Sequence, residues 1–259
     1  MALEIGPERL AISSARLPFA EQIAFFLGKT NLGTRRWTDI MKNAHDQSFV
    51  VAGAMKMDLL ADLRAAVDGA IAEGKSIDWF RTQFDAAVEK AGWAYRGERN
   101  WRTRVIYQTN LSTSYAAGRL DQLRASRLPM WMYKHSESVV HPRPLHVSWD
   151  GITLPSDHPW WQTHYPPSAW GCKCRVVGVS PATAERLGAR VLDEPPDDGT
   201  YTWRGETIPN GIEPGWNYMP GAGRQEQLAD FAREKAKAAP PELGAQFLAS
   251  VERRRREGR

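Results

Sequence analysis

The stretch HPRPLHVSWDGITLPSDHPWWQTHYPPSAWGCKC, His141 to Cys174, constrains the fold more than any other part of the chain. It holds four of the six histidines, four of the eleven tryptophans and both cysteines. Helical periodicity is absent from about Pro129 to Ser180, and short β-like runs (MWMYKH, LHVSWDG, CRVVGVS) alternate with proline-rich loops. Pro155, Pro159, Pro166 and Pro167 fix local backbone angles between Trp149, Trp160, Trp161, Tyr165 and Trp170, which offer large apolar faces. Long ordered loops of this kind need a tight aromatic core, a staple, or both.

Cys172 and Cys174 are one residue apart, a spacing that strains a disulfide, so both are read as reduced thiols and as candidate metal ligands. Two soft thiolates suit zinc, whose tetrahedral structural sites need two further ligands. His146 is the candidate third ligand, with His141, Asp157 and His164 competing for the fourth place. Ligation would contribute folding free energy directly to a segment with little regular structure. The plainer alternative is that the cysteines are small buried hydrophobes, the histidines hydrogen-bonding loop residues, and the indoles the core. A metal-dependent nuclease, with histidine as base and a cation on the scissile phosphate, is the enzymatic alternative. It lacks two spaced CxxC pairs and a compact carboxylate cluster. A serine hydrolase lacks its G-x-S-x-G turn.

The rest of the chain organises around this module. Leu59, Leu60, Leu63, Val67, Ala70 and Ile71 recur at helical spacing and stop at Gly74. Ser76 stands as an N-cap before a second stripe, Ile77, Phe80, Phe84, Ala87, Val88 and Ala91, which stops at Gly92. These predict a helical hairpin. A third helix is expected from about Glu98 to Ser126. Its small residues Ser112, Thr113, Ser114, Ala116, Ala117 and Gly118 let another backbone approach closely, while Arg102, Arg104, Asn110 and Arg119 offer a polar face. From about Asp193 a Pro-, Gly- and acid-rich segment predicts an extended arm or β-hairpin with an ordered turn. A helix from Arg224 to Ala239, a break at Pro240-Pro241 and a final helix from about Glu242 follow. The expected class is α+β: residues 1–128 a helical region, 129–192 a small irregular Cys/His/Trp-rich α+β module, and 193–259 an arm and C-terminal helices.

At 259 residues, 42% hydrophobic and 25% charged, such a chain can bury a substantial core. No run of about eighteen apolar residues occurs, and the N-terminus lacks a secretion signal, so the expectation is no membrane and a protein that remains in a cytoplasm or in something assembled there. The net charge of +4 is weakly basic. Its clearest local excess is Arg253, Arg254, Arg255 and Arg256, read as a solvated helix end or as a contact for phosphate or an acidic partner.

Several pieces in order carry a resemblance: WRTRVIYQTNLSTSYAAGRLDQL, Trp131 and Tyr133, RPLHVSWDGITLPSDHPWWQTHYPPSAWGCKC, and GIEPGWNYMPG. Together they resemble the phage Mu F-like family of head morphogenesis proteins, minor capsid components of tailed phages and prophages. LPFAEQIAFF and AHDQSFVVAGAMKMDLLADL are similar to the N-terminal part of its Mu-type members. The resemblance implies a non-enzymatic protein acting in head assembly at the portal vertex and prohead interior. It places the protein in the virion and, during assembly, in the bacterial host cytoplasm. Implied partners are the portal protein, other head or scaffold proteins and, non-specifically, double-stranded DNA during packaging. More distant relatives carry a CxxC pair in the position of Arg143 and His146, and a histidine shortly before the final CxC. On that comparison His146, Cys172 and Cys174 keep ligand-type residues, whereas Arg143 and Ala169 do not. Some relatives fuse the module to toxin or enzyme domains; the PGWNY turn and helical tail after Ser180 leave no appended enzyme expected here.

Overall fold

The computed structural model describes residues 19–223, 232–233, 235–237 and 240–257, the side chains of 254–257 excepted. The element order is α1 (Ala20–Leu27), β1 (Thr30–Asn31), α2 (Ala44–Gln47), β2 (Ser48–Phe49), α3 (Met57–Glu73), α4 (Ile77–Ala91), α5 (Arg99–Ser126), β3 (Met130–Lys134) and α6 (Pro144–Ser148). Then come β4 (Ile152–Pro155), α7 (Trp161–His164), β5 (Arg175–Val179), α8 (Pro181–Arg186), β6 (Arg190–Val191), β7 (Thr200–Trp203), β8 (Glu206–Pro209) and α9 (Pro241–Glu257). The fold is α+β, as the residue pattern predicts.

Local chemistry sets the helical hairpin. Gly74 ends α3 and Gly92 ends α4 in the left-handed region, at φ 65° and 58°, where a residue without Cβ is unstrained. Ser76 caps α4, its side chain accepting from the Trp79 N–H at 3.3 Å. The stripes these helices bury meet α1, β2 and the first half of α5 in one core, with Phe26, Phe49, Leu60, Leu63, Phe80 and Phe84 all inaccessible to solvent. Burial of each such side chain stabilises by about 1.5–3 kcal/mol relative to exposure.

The second half of α5 belongs to another core. Leu120 and Leu123 pack with Trp131, Tyr133, Trp149 and Trp161. A four-stranded sheet of order β5-β3-β4-β6 carries this core, with β3 antiparallel to both β4 and β5 and β4 parallel to β6. Alternation explains the strand chosen. Trp131 and Tyr133 of β3 face the indole core, while Met132 faces a smaller cluster with Val179 and Ala184.

The small-residue stretch of α5 is where other segments come closest. A Cβ on Gly118 would stand 2.7 Å from the Gln22 backbone nitrogen of α1. One added on Gly221 would stand 2.9 Å from the Ala117 Cβ. Gln22 also donates to Ser114 Oγ at 3.0 Å and to the Leu111 carbonyl at 3.3 Å. On the proposed polar face, Arg102 donates to the Ala52 carbonyl, Asn110 to the Ile106 carbonyl and Arg119 to Gln122, while Arg104 is exposed.

The arm is a β7–β8 hairpin. Arg204 and Gly205 both have positive φ, 49° and 81°, as a two-residue turn matched to strand twist requires. Ile208, Ile212, Trp216 and Met219 then return into the indole core. Asp46 of α2 holds the following turn, accepting from the Gly221 and Gly223 N–H groups at 3.0 and 3.2 Å. The final helix begins at Pro241, but most of the segment Arg224 to Ala239, read as helix, lies outside the described residues. One reading is corrected. LHVSWDG is not a β-like run: Pro144 to Ser148 form the short helix α6, with Pro144 in the first turn, where its fixed φ and missing N–H cost nothing.

Candidate metal centre

Three elements of the module converge on one point. His146 comes from α6; Cys172 follows the Pro166–Gly171 loop, its N–H donating to the Ala169 carbonyl at 3.1 Å; Cys174 directly precedes β5. The ligand atoms of His146, Cys172 and Cys174 all lie within 4.8 Å of one another. Cys172 Sγ is 3.6 Å and Cys174 Sγ 3.7 Å from His146 Nδ1. Among the described residues this is the one group of three or more His, Cys, Asp or Glu side chains so gathered.

The histidine is oriented for ligation. Its Nε2 lies 2.8 Å from the Gly211 carbonyl, which can only accept, so the proton sits on Nε2 and the Nδ1 lone pair faces the two sulfurs. The ring stacks on Trp149 at 5.2 Å and 21°, and the Trp149 indole N–H is held by Asp198 at 2.6 Å. Gly211 is required here. At φ 84°, a Cβ on it would lie 2.6 Å from the Trp149 ring.

The electrostatics suit a cation. The two thiols share their protons unequally. Cys174 is drawn well below the usual thiol range by the hydrogen bond from Cys172, against its burial, with His146, Tyr133 and His135 assisting. Cys172 is pushed up, first by that same bond and then by burial. Burial, and then the two sulfurs, hold the Tyr133 phenol protonated. Two soft sulfurs and an imidazole with its lone pair free form a donor set that fits zinc. His146 and Cys172 are buried, at 2% and 5% exposure, so such a centre is closed as structural sites are.

The candidates for the fourth place lie elsewhere. His141 and Asp157 are exposed on loops. His164 is buried on α7, its Nδ1 3.1 Å from the Trp160 carbonyl and 2.8 Å from Thr163 Oγ1, and its ring stacked on Trp160 at 4.2 Å. Burial lowers its pKa to about 4. Sequence reasoning passed over His135, whose Nδ1 lies 3.5 Å from Cys174 Sγ. The only signal for it was its place at the end of a β-like run. Arg143 pairs with Glu213 at 2.6 Å and donates to the Trp170 carbonyl. Arg253 is exposed on α9, and the side chains of Arg254, Arg255 and Arg256 lie outside the described residues.

The fold and site define a mainly helical α+β protein with a compact, indole-cored Cys/His module. Residues 61–177 match the model of the family described as Phage Mu protein F like protein, which bears out the resemblance to Mu F-like proteins. The chain is 31% identical over 244 residues to the "Putative capsid assembly protein F" of Escherichia phage Mu, covering 81% of this chain and 55% of that protein. It is 29% identical over 170 residues to the "Mu-like prophage FluMu F protein" of Haemophilus influenzae, covering 61% of this chain and 41% of that one. The chain thus spans about half the length of the curated relatives it matches. No solved structure matches it. No helix among the described residues is long and apolar enough to cross a membrane.

Proposed function

We propose that this protein acts in head assembly of a Mu-like phage or prophage as a structural component, and that zinc bound by His146, Cys172 and Cys174 staples its indole-cored module. The observation that carries the reading is the 31% identity, over 81% of the chain, to a putative capsid assembly protein. In this reading the protein stands at the portal vertex or prohead interior, in the virion and in the host cytoplasm during assembly. Its partners are the portal protein and other head or scaffold proteins, and DNA is contacted non-specifically through basic side chains such as Arg253.

Zinc supplies ligation energy to the module and no chemistry. His146 offers Nδ1 while Gly211 holds its other nitrogen, and Cys172 is buried with Cys174 half-buried beside it. A metal-dependent nuclease is the competing reading. It needs an accessible cation with an open position, whereas two of these three ligands are almost fully buried.

The deciding experiment deletes the coding segment from the phage or prophage that carries it and examines lysates by electron microscopy. Loss of normal heads, restored by the intact chain, is expected; normal infectious heads without it would sink the assembly role. In parallel, the purified chain is incubated with plasmid and magnesium, manganese or zinc. Cutting that disappears in a His146→Ala, His164→Ala variant would establish the nuclease instead.

A further inference from the structure

We infer that His135 is the fourth protein ligand of the centre, closing it as a two-cysteine, two-histidine zinc site; this rests on the metal-staple reading above. The argument begins with strand pairing. β3 and β5 run antiparallel with Tyr133 opposite Val176 and Lys134 opposite Arg175. Continued by one pair, that register sets His135 opposite Cys174. Side chains alternate along a strand, so His135 shares a face with Tyr133, and Cys174 with Val176. That face is the core face: Tyr133 and Val176 are buried with Trp149, the ring on which His146 stacks. The ladder therefore delivers an imidazole and a thiol to the side where His146 and Cys172 already stand.

The spacing agrees with coordination. Bonds of about 2.3 Å to sulfur and 2.0–2.1 Å to nitrogen, at the tetrahedral angle, separate neighbouring sulfur and nitrogen ligands by roughly 3.5 Å. The three sulfur–nitrogen separations here are 3.5 Å for Cys174–His135, 3.6 Å for Cys172–His146 and 3.7 Å for Cys174–His146. His135 meets the group at Cys174 and stands outside the 4.8 Å set of the other three. Rotation of its imidazole towards the cation closes the remaining edges. Its backbone is fixed meanwhile, because the His135 N–H donates to Asp150 Oδ1 at 2.8 Å and Lys134 holds the other carboxylate oxygen at 2.9 Å. His164 stands on α7 outside the 4.8 Å set, its ring stacked on Trp160 at 4.2 Å and its Nδ1 bonded to Trp160 and Thr163 rather than to either sulfur.

The test uses the full chain loaded with zinc or with cobalt(II) as a visible probe. One zinc per chain is expected. His135→Ala should weaken zinc in chelator competition by about 100-fold, at the upper end of what disturbed coordination shells cost. It should also alter the cobalt d–d bands while keeping the sulfur charge-transfer band. His135→Cys should restore tight binding, and His141→Ala, Asp157→Ala and His164→Ala should leave affinity unchanged. X-ray absorption at the zinc edge of the unaltered protein should report two sulfurs and two imidazoles, whether or not any variant folds. Unchanged affinity and cobalt bands in His135→Ala, or a single imidazole at the zinc, would overturn the assignment while leaving the staple intact. Absence of zinc from the unaltered chain would overturn both.

Discussion

The helical half and the Cys/His module solve the same problem with different materials. Around Leu60, Leu63, Phe80 and Phe84 the core is aliphatic and phenyl, borne on helices of 17, 15 and 28 residues. Around Trp149 it is indole, borne on strands and helices of four or five residues laid against the second half of α5. Long helices satisfy their own backbone and need only a stripe to bury. Short pieces leave many backbone groups to be met by specific partners, as when the Trp161 indole donates to the Pro155 carbonyl at 2.9 Å. Regular structure thus makes packing sufficient in the first region, while the second depends on oriented polar contacts and a cluster of ligand atoms.

The largest expected effect that would break this contrast is in the helical core. Phe84→Ala should destabilise the protein by about 3–5 kcal/mol in denaturant unfolding, because a fully buried ring is replaced by a cavity. Zinc stoichiometry should not change; a variant that also lost zinc would show that the two regions are one unit.

Next in size is the seam between them, where Asp46 is buried and His45 half-buried. Burial, then the charge of Lys29, lowers the His45 pKa to about 4. Burial raises that of Asp46 to about 6, opposed by the Gly221 N–H, Lys29 and the Gly223 N–H. The signs oppose. The depressed imidazole contributes stability that is full above about pH 6.5 and is lost as pH falls towards 4; the raised carboxyl contributes stability that is full below about pH 4 and is lost as pH rises through 6. Each is worth about 3 kcal/mol. His164 behaves as His45 does. Asp46→Asn should therefore steepen the loss of stability on acidification relative to the unaltered chain, and His45→Gln should flatten it. Identical pH profiles for all three would remove the seam from the account.

The smallest effect sharpens the claim about local signals. Ser76→Ala removes the α4 cap and should cost about 1 kcal/mol in thermal or denaturant unfolding. No change would mean that packing alone sets that helix start.

These contrasts explain what could be read before the fold was known. The hairpin and α5 were legible because Gly74, Ser76, Gly92 and the apolar stripes act within a few residues. Helix α6 was misread as β-like because five residues are too few for a period, and the proline that fixes its start also suits a loop. His146, Cys172 and Cys174 were legible as chemistry, since soft thiolates and an imidazole suggest one another. His135 was not, because its relation to Cys174 exists only through the pairing of β3 with β5, some forty residues apart in sequence.

Ala117 and Gly118 touch different segments at nearly backbone distance, the turn at Gly221 on one side and α1 on the other. Neither neighbour can yield independently of the helix between them. A single methyl group added at 118 would wedge α1 outward, and one added at 221 would lever the C-terminal turn away, so this part of α5 tolerates lost volume far better than gained volume. The middle of the longest helix is in that sense an axle, its thinness setting how near α1 and the turn at Gly221 come to each other.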